Sequence, residues 1–533
     1  MTLASVMAAA QPGRMLPQQR QPAASHRPAT PAPQSSIGEN LQKLLVAESA
    51  IANLYVDDVD EEELVKNAIV GMLESLDPHS TYLTPKENAS SQETLTGSFD
   101  GIGVQFNMVE DTLFVVQPIV DGPSEKVGII AGDRIISVND TAIAGVKMPQ
   151  ETIMKRLRGP RGTKVKLGVL RRGVGKTLFF NVTRDKIPVN TVDAGYIIRP
   201  GTGYIRLSSF GATTVSEFEE KLAELKSQGM KDLILDLQGN GGGLLGTAIG
   251  MANEFLERDR MIVYTEGKRS PKSISNSDGH GKFRSGRLVV LVDEYSASAS
   301  EIVSGAVQDW DRGTIVGRRT YGKGLVQRPI EFHDGSLIRL TIAQYYTPSG
   351  RCIQKPYGKD VDYGRDIAER LQHGELTNPD SIHFPDSLKY STLIEKRTVY
   401  GGGGIMPDVF VPLDTARTNR YYRDVTAHGV VLQTALQYAE SNRRSLLRHF
   451  KDMDGFLDGY QIGPDVYDIL KKKASDAGVA FDEEQFNHVK PIFDVQLKAL
   501  VARNLYGMTA YWKGMESLDN TLQRALELLE NGL

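Results

Sequence analysis

Three serines spaced two apart, Ser296, Ser298 and Ser300, are followed by a lysine, Lys323, set between Gly322 and Gly324. A serine hydroxyl attacks a carbonyl only when a base takes its proton. A lysine supplies that base once burial lowers its ammonium pKa and leaves the amine neutral near neutral pH. The flanking glycines let the backbone come close to whatever lies opposite. Taken alone, a serine ahead of a helix reads first as an N-cap, and a lone lysine as a solvated surface residue. Their pairing is what points to nucleophilic catalysis.

The elements around the serines give that pairing a setting. The apolar run Leu288–Val292 has the length and β-branched content of a buried strand, and residues 299–310 carry Ile302, Val303, Ala306 and Val307 at helical spacing. A Ser/Ala turn therefore joins a strand to a helix, where side chains are exposed and the first free N–H groups can receive a negative oxygen.

S-A-S-A-S-E at 296–301, followed by T-Y-G-K-G-x-V-Q at 320–327, resembles the carboxy-terminal processing peptidases, or tail-specific proteases, which work through a Ser/Lys dyad. The resemblance implies Ser298 as nucleophile, Lys323 as base 25 positions on (323 − 298 = 25), and Gln327 as the residue that orients the lysine. The same lysine ends a G-x-x-x-x-G-K run from Gly317, the spacing of a phosphate-binding loop. That reading fails on context, since Gly324 stands where a Ser or Thr is needed and residues 325–332 read as a strand where a helix should begin.

A chain of 533 residues with 40% hydrophobic content suggests several soluble domains. With 62 basic against 66 acidic residues the net charge is −4, which gives no field for nucleic acid, and no apolar run has the roughly 20 residues that span a membrane. The single cysteine, Cys352, rules out an internal disulfide framework, and the nine histidines show no H-E-x-x-H spacing. No metal or cofactor is implied.

Along the chain, residues 2–11 look like the end of a signal peptide, with Ala8 and Ala10 in an A-x-A arrangement, so export to the periplasm or cell envelope is expected. Residues 17–36, rich in Pro, Gln and Ala, read as a disordered tether. Apolar residues at Leu41, Leu44, Leu45 and Ile51, and again at Leu64, Ala68, Ile69 and Met72, predict two amphipathic helices. L-D-P-H-S at 76–80 also resembles the peptidase family, in which this histidine, His79, is not the base.

Residues 99–184 read as short strands punctuated by glycine. With G-I-G-V at 101–104 and G-D-x-I-x-x-V-N at 132–139 they resemble a PDZ domain. The resemblance makes Gly101, Ile102, Gly103 and Val104 the loop that holds a terminal carboxylate, with the strand at 105–108 pairing with an extended peptide. Arg158 matches the arginine that couples peptide binding to active-site alignment in related peptidases.

From about residue 189, a strand at 203–207, a helix at 215–229 with Phe218, Leu222 and Leu225, and a strand at 233–237 predict a mostly parallel sheet covered by helices. The glycine-rich turn at 238–243 follows at the C-terminal edge of that sheet, where ligands gather. The family pattern D-L-R-x-N-x-G-G is kept at Asp236, Leu237, Asn240, Gly242 and Gly243, but Gln238 replaces the arginine. An N–H from Gly242 or Gly243, beside that of Ala299, is the expected oxyanion hole.

Pattern and resemblance together imply an α/β multidomain chain: by resemblance a crotonase-like peptidase core and a small PDZ domain, by periodicity a mostly parallel sheet and helical N- and C-terminal regions. The expected divisions are 1–36, a helical region at 37–95, the PDZ domain at 96–186, the core at 187–412 with a polar insertion at 357–400 near the rim, and helices over 413–533. Expected partners are proteins with exposed C-terminal tails, with an adaptor or a second copy at the helical termini as further options. A PDZ scaffold on a catalytically silent core is the competing reading.

Overall fold

The computed structural model describes residues 37–532 apart from 110, 120, 359 and 360. The expected leader and tether, 1–36, lie outside the described residues. The chain divides into two units, Met1–Ile69 and Val70–Leu533. In the first, helix Ile37–Leu54 leaves Leu41, Leu44 and Leu45 exposed; helix Glu61–Glu74 spans the division.

In the second unit, strands Val104–Val109, Thr112–Pro118, Arg134–Val138, Lys164–Leu170 and Leu178–Thr183 pair antiparallel in that order. Alternate residues such as Leu113, Val115, Leu167 and Val169 point inward and pack with Ile153 and Leu157 of helix Gln150–Leu157. Val104–Val109 is an edge strand, with one side of its ladder unpaired.

The larger sheet runs Val192–Arg199, Thr202–Leu207, Asp232–Asp236, Leu288–Val292, Thr314–Gly317 and Val409–Phe410. Its first pair is antiparallel and the other four pairings are parallel. Strand Leu288–Val292 is buried throughout because both faces are covered. Leu288, Val290 and Val292 meet Phe218, Leu222, Met251, Val303 and Val307 from helices Thr214–Ser227, Leu245–Asn253 and Ala299–Asp309. Val289 and Leu291 face the opposite layer, where Leu522, Leu526 and Leu529 of the last helix, Asn520–Glu530, close the core. Each such leucine contributes about 1.5–3 kcal/mol on burial.

The C-terminal helices therefore do two jobs. Those from Arg420–Ala427 to Met508–Met515 build a core of their own around Val425, Phe456, Leu470 and Phe493, whereas the final helix belongs to the peptidase sheet. A further sheet is centred on strand Leu337–Tyr346, which pairs with Leu325–Glu331, Thr81–Leu83 and Met261–Gly267. Among the described residues no helix is long and apolar enough to cross a membrane.

Candidate active site

The three serines of the run have different fates. Ser296 Oγ donates to the Leu237 carbonyl (2.8 Å), and Ser300 Oγ to the Asn240 carbonyl (2.8 Å); both residues are fully buried. These two hydroxyls stitch the turn to the neighbouring parallel strand. Ser298 alone of the three lines a cleft of about 760 Å³. It occupies the cap position of helix Ala299–Asp309, but with φ 56° and ψ −110° rather than the extended backbone of an ordinary N-cap. Such a conformation in a non-glycine residue costs on the order of 1–3 kcal/mol and persists only where surrounding bonds over-determine it.

The glycine-rich turn packs directly on the serine turn: a Cβ on Gly242 would sit 2.8 Å from Ser298 Cβ and 2.9 Å from Ala299 N. Asn240 fixes this turn by donating through Nδ2 to the Leu207 carbonyl (2.9 Å) and accepting the Gly242 N–H on Oδ1 (2.9 Å). That second bond corrects the sequence expectation. The Gly242 N–H is already committed, so Gly242 shapes the turn and does not serve as an oxyanion donor. The N–H groups of Gly243 and Ala299 have no acceptor among the described residues, and both residues line the cleft.

Lys323 and Gln327 line the same cleft. Two buried groups hold the lysine turn against the serine turn. Glu301, wholly buried, accepts the Ser298 N–H (2.7 Å) and the Lys323 N–H (2.9 Å) on Oε2, and the Gly322 N–H (2.7 Å) and Thr320 hydroxyl (2.6 Å) on Oε1. Tyr345 reaches the carbonyls of both Ser298 (3.1 Å) and Lys323 through its hydroxyl. Tyr321 N–H adds a direct bond to the Ser296 carbonyl, 3.0 Å.

Burial is the main cause holding the Lys323 ammonium below its ordinary range. The positive charge of Arg339 adds to it, and Glu301 and Asp77 oppose it. Burial also pushes Glu301 up to about 7, although its donors pull the other way. His79 falls to about 4 through burial first and the Lys323 charge second, so it is neutral at physiological pH; its ring meets the Tyr363 hydroxyl at 2.8 Å.

Other expected residues lie further off. Gly101 ends strand Ser98–Gly101, Ile102 is buried, Gly103 takes φ 71°, and Val104 opens the edge strand. Arg158 ion-pairs with Glu93 and stacks 4.5 Å over Phe99, with its Cγ 3.9 Å from where a Cβ on Gly101 would stand. It thus ties the loop at 101–104 to helix Pro85–Thr96, whose Ser91, Gln92 and Leu95 line the cleft. Gln238 turns away and donates to Asp519 (2.8 Å), while Arg206 bonds the Gln238 carbonyl and Asp236. From the insertion at 357–400, Arg370 donates to the carbonyls of Thr320 and Arg319, bracing the lysine turn.

Glu301, Tyr345 and Arg339 escaped the sequence reading. Glu301 stands three residues after Ser298, the spacing of a capping box, which is a usable signal. Nothing in the local pattern marks Tyr345 or Arg339.

The model of peptidase family S41 matches residues 201–363 and that of the PDZ domain residues 101–183. The N-terminal domain of the activating protease CtpB matches 6–87, and a family of unknown function matches 421–507. Carboxy-terminal processing protease CtpA of Bacillus subtilis (strain 168) is 37% identical over 323 residues, covering 60% of this chain and 68% of the relative. The carboxy-terminal-processing protease of Bartonella bacilliformis is 38% identical over 305 residues, 56% of this chain and 69% of that one. Among solved structures, the photosystem II D1 C-terminal processing protease is 27% identical, covering 69% of this chain and 92% of its own, with a TM-score of 0.34. By its identity to relatives of which it covers more than two thirds, the chain belongs to the carboxy-terminal processing proteases of peptidase family S41, serine-type peptidases, and it carries a PDZ domain.

Proposed function

We propose that the chain is an endopeptidase that cuts protein substrates at or near their C-terminus through a Ser298/Lys323 dyad on a crotonase-like core. The observation that carries this reading is the shared cleft: of the three serines only Ser298 faces it, and Glu301 and Tyr345 bind the backbone of both Ser298 and Lys323. Neutral Lys323 takes the proton of Ser298 Oγ, and the oxygen attacks the scissile carbonyl. The N–H groups of Gly243 and Ala299 receive the oxyanion. The C–N bond then breaks, the leaving amine takes the proton back from Lys323, and an acyl-enzyme remains. Water, deprotonated by the Lys323 amine, attacks the acyl carbon; the ester C–O bond breaks, Ser298 Oγ takes the proton from Lys323, and the new carboxylate leaves. Gln327 orients the lysine.

The PDZ domain holds the substrate tail along Val104–Val109, with the loop at 101–103 around its carboxylate. Arg158 and helix Pro85–Thr96 carry tail occupancy to the cleft, so binding gates turnover. Export to the cell envelope belongs to the same proposal, on the A-x-A start alone. The test is cleavage of an unstructured protein with an apolar C-terminus. The natural chain is expected to cut it, while Ser298→Ala and Lys323→Ala bind the tail but do not cut. Full activity in Ser298→Ala overturns the dyad, and tail binding without cleavage by the natural chain favours a silent scaffold.

A further inference from the structure

The L-D-P-H-S segment at 76–80 has no part in the chemistry above, yet through Thr341 it is bonded toward Gln327 of the cleft, and the Asp77 charge acts on Lys323. Asp77 anchors it. Oδ1 accepts the N–H groups of His79 and Ser80 (2.9 Å each) and the Thr341 hydroxyl (3.0 Å), and Oδ2 accepts the Ser80 hydroxyl (2.6 Å). Thr341 N–H in turn donates to Ser80 Oγ, 3.1 Å, so the segment is fixed to strand Leu337–Tyr346 at both backbone and side chain. On the other side of Thr341, Gln327 Nε2 approaches the same hydroxyl oxygen at 3.4 Å, a long bond.

This chain of bonds has a direction. An ionised carboxylate can only accept, so the Thr341 hydroxyl must donate to Asp77, which leaves the threonine oxygen as an acceptor. Gln327 must then present its amide N–H₂ to Thr341, and its carbonyl Oε1 is the end left for the cleft that it shares with Lys323. An acceptor at that end suits an N–H of the lysine, which leaves the amine lone pair for another partner. With the amide reversed, an N–H₂ would confront the ammonium or compete with it.

We propose that Asp77 is a positioning residue for the lysine base, setting through Thr341 which end of the Gln327 amide faces Lys323. The proposal rests on the dyad reading. The Asp77 carboxylate stays ionised, because the hydroxyl and N–H donors outweigh burial and hold it below its ordinary range. The charged groups facing Lys323 are Arg339 from strand Leu337–Tyr346, Glu301 from helix Ala299–Asp309 and Asp77 itself, with His79 neutral beside them.

The test uses the full chain and steady-state cleavage of an unstructured protein over a range of pH. Asp77→Asn can offer an N–H₂ to Thr341 and permits the reversed chain, and Thr341→Val removes the link without changing its shape. Each is expected to lower kcat by about 10- to 100-fold with little change in KM, as a misplaced catalytic group does. In Asp77→Asn the acid limb of the pH profile moves to lower pH, because an anion near Lys323 is gone. Thr341→Ser restores most of the rate, and the double variant Asp77→Asn/Thr341→Val is no slower than the slower single one. A merely structural role predicts, in both single variants, lower thermal stability with kcat unchanged wherever the chain is folded. That result, or a natural kcat in folded Thr341→Val, overturns the proposal. Loss of the dyad reading itself would show separately, as cleavage that survives Ser298→Ala.

Discussion

The serine turn and the lysine turn meet in one cleft but are held in opposite ways. The serine turn is closed by its own short side chains: Ser296, Ser300 and Asp293 bond backbone groups of the adjoining strand end and of the turn itself, 2.8–3.0 Å. The lysine turn contributes almost none of its own supports. Gly324 N–H donates to Gln354 Oε1 (2.8 Å), Lys355 N–H to the Gly322 carbonyl (2.9 Å), Ile405 N–H to Thr320 Oγ1 (2.6 Å), and Arg370 and Glu301 complete the set. In the proposed dyad the nucleophile is therefore built into the sheet, and the base is delivered to it by remote segments. Perturbing those segments should misplace the lysine first, and perturbing the sheet should unfold the chain first.

The sharpest way to break this contrast is Glu301→Gln, which puts an N–H₂ where four donors converge. It is expected to lower kcat by about 100-fold or more and to destabilise the fold by about 1–3 kcal/mol, read from single-turnover kinetics and denaturant unfolding. Glu301 itself takes up a proton as pH falls through about 7, losing an acceptor just as the glutamine does. Activity of the natural chain should fall there, and the variant should lack that limb.

Leu526→Ala tests the other half, since it opens a cavity beneath the sheet. A loss of about 2–5 kcal/mol in unfolding free energy with a nearly unchanged kcat is expected. Arg370→Met, by contrast, should lower kcat by about tenfold at a smaller cost in stability, because it frees the carbonyls of Thr320 and Arg319. Equal kinetic effects of these two substitutions would erase the distinction between frame and delivery.

Smaller effects sharpen the electrostatics. Arg339 helps keep the Lys323 ammonium below its ordinary range, so Arg339→Met should raise the lysine pKa and move the acid limb of kcat/KM toward higher pH. The least change is expected from Arg158→Ala. A few-fold loss on tailed substrates, with tail affinity retained, would fit a link from PDZ domain to cleft, and a loss of affinity would make Arg158 a direct peptide contact.

Much of the fold could be read from pattern. The continuous apolar run Leu288–Val292 announced a buried strand, and the glycine punctuation over 99–184 announced the short strands of the smaller sheet. What covers the second face of the large sheet was not readable, because Leu522, Leu526 and Leu529 look like any amphipathic helix until their neighbour is known. The glycine-rich turn was half legible. Its glycines were visible, but the Asn240 bond that withdraws Gly242 depends on a side-chain rotamer.

The sequence by itself determined the chemistry on offer: a serine turn before a helix, a lysine between glycines, and a glycine-rich turn, each local in the chain and so written in adjacent residue types. Tertiary structure alone decided which serine faces the cleft, which N–H groups stay available, and what holds the lysine turn against the serine turn. Those outcomes depend on hydrogen bonds closed between segments far apart in the chain, and a buried donor or acceptor leaves no periodic trace in sequence because any distant partner of the right polarity can satisfy it.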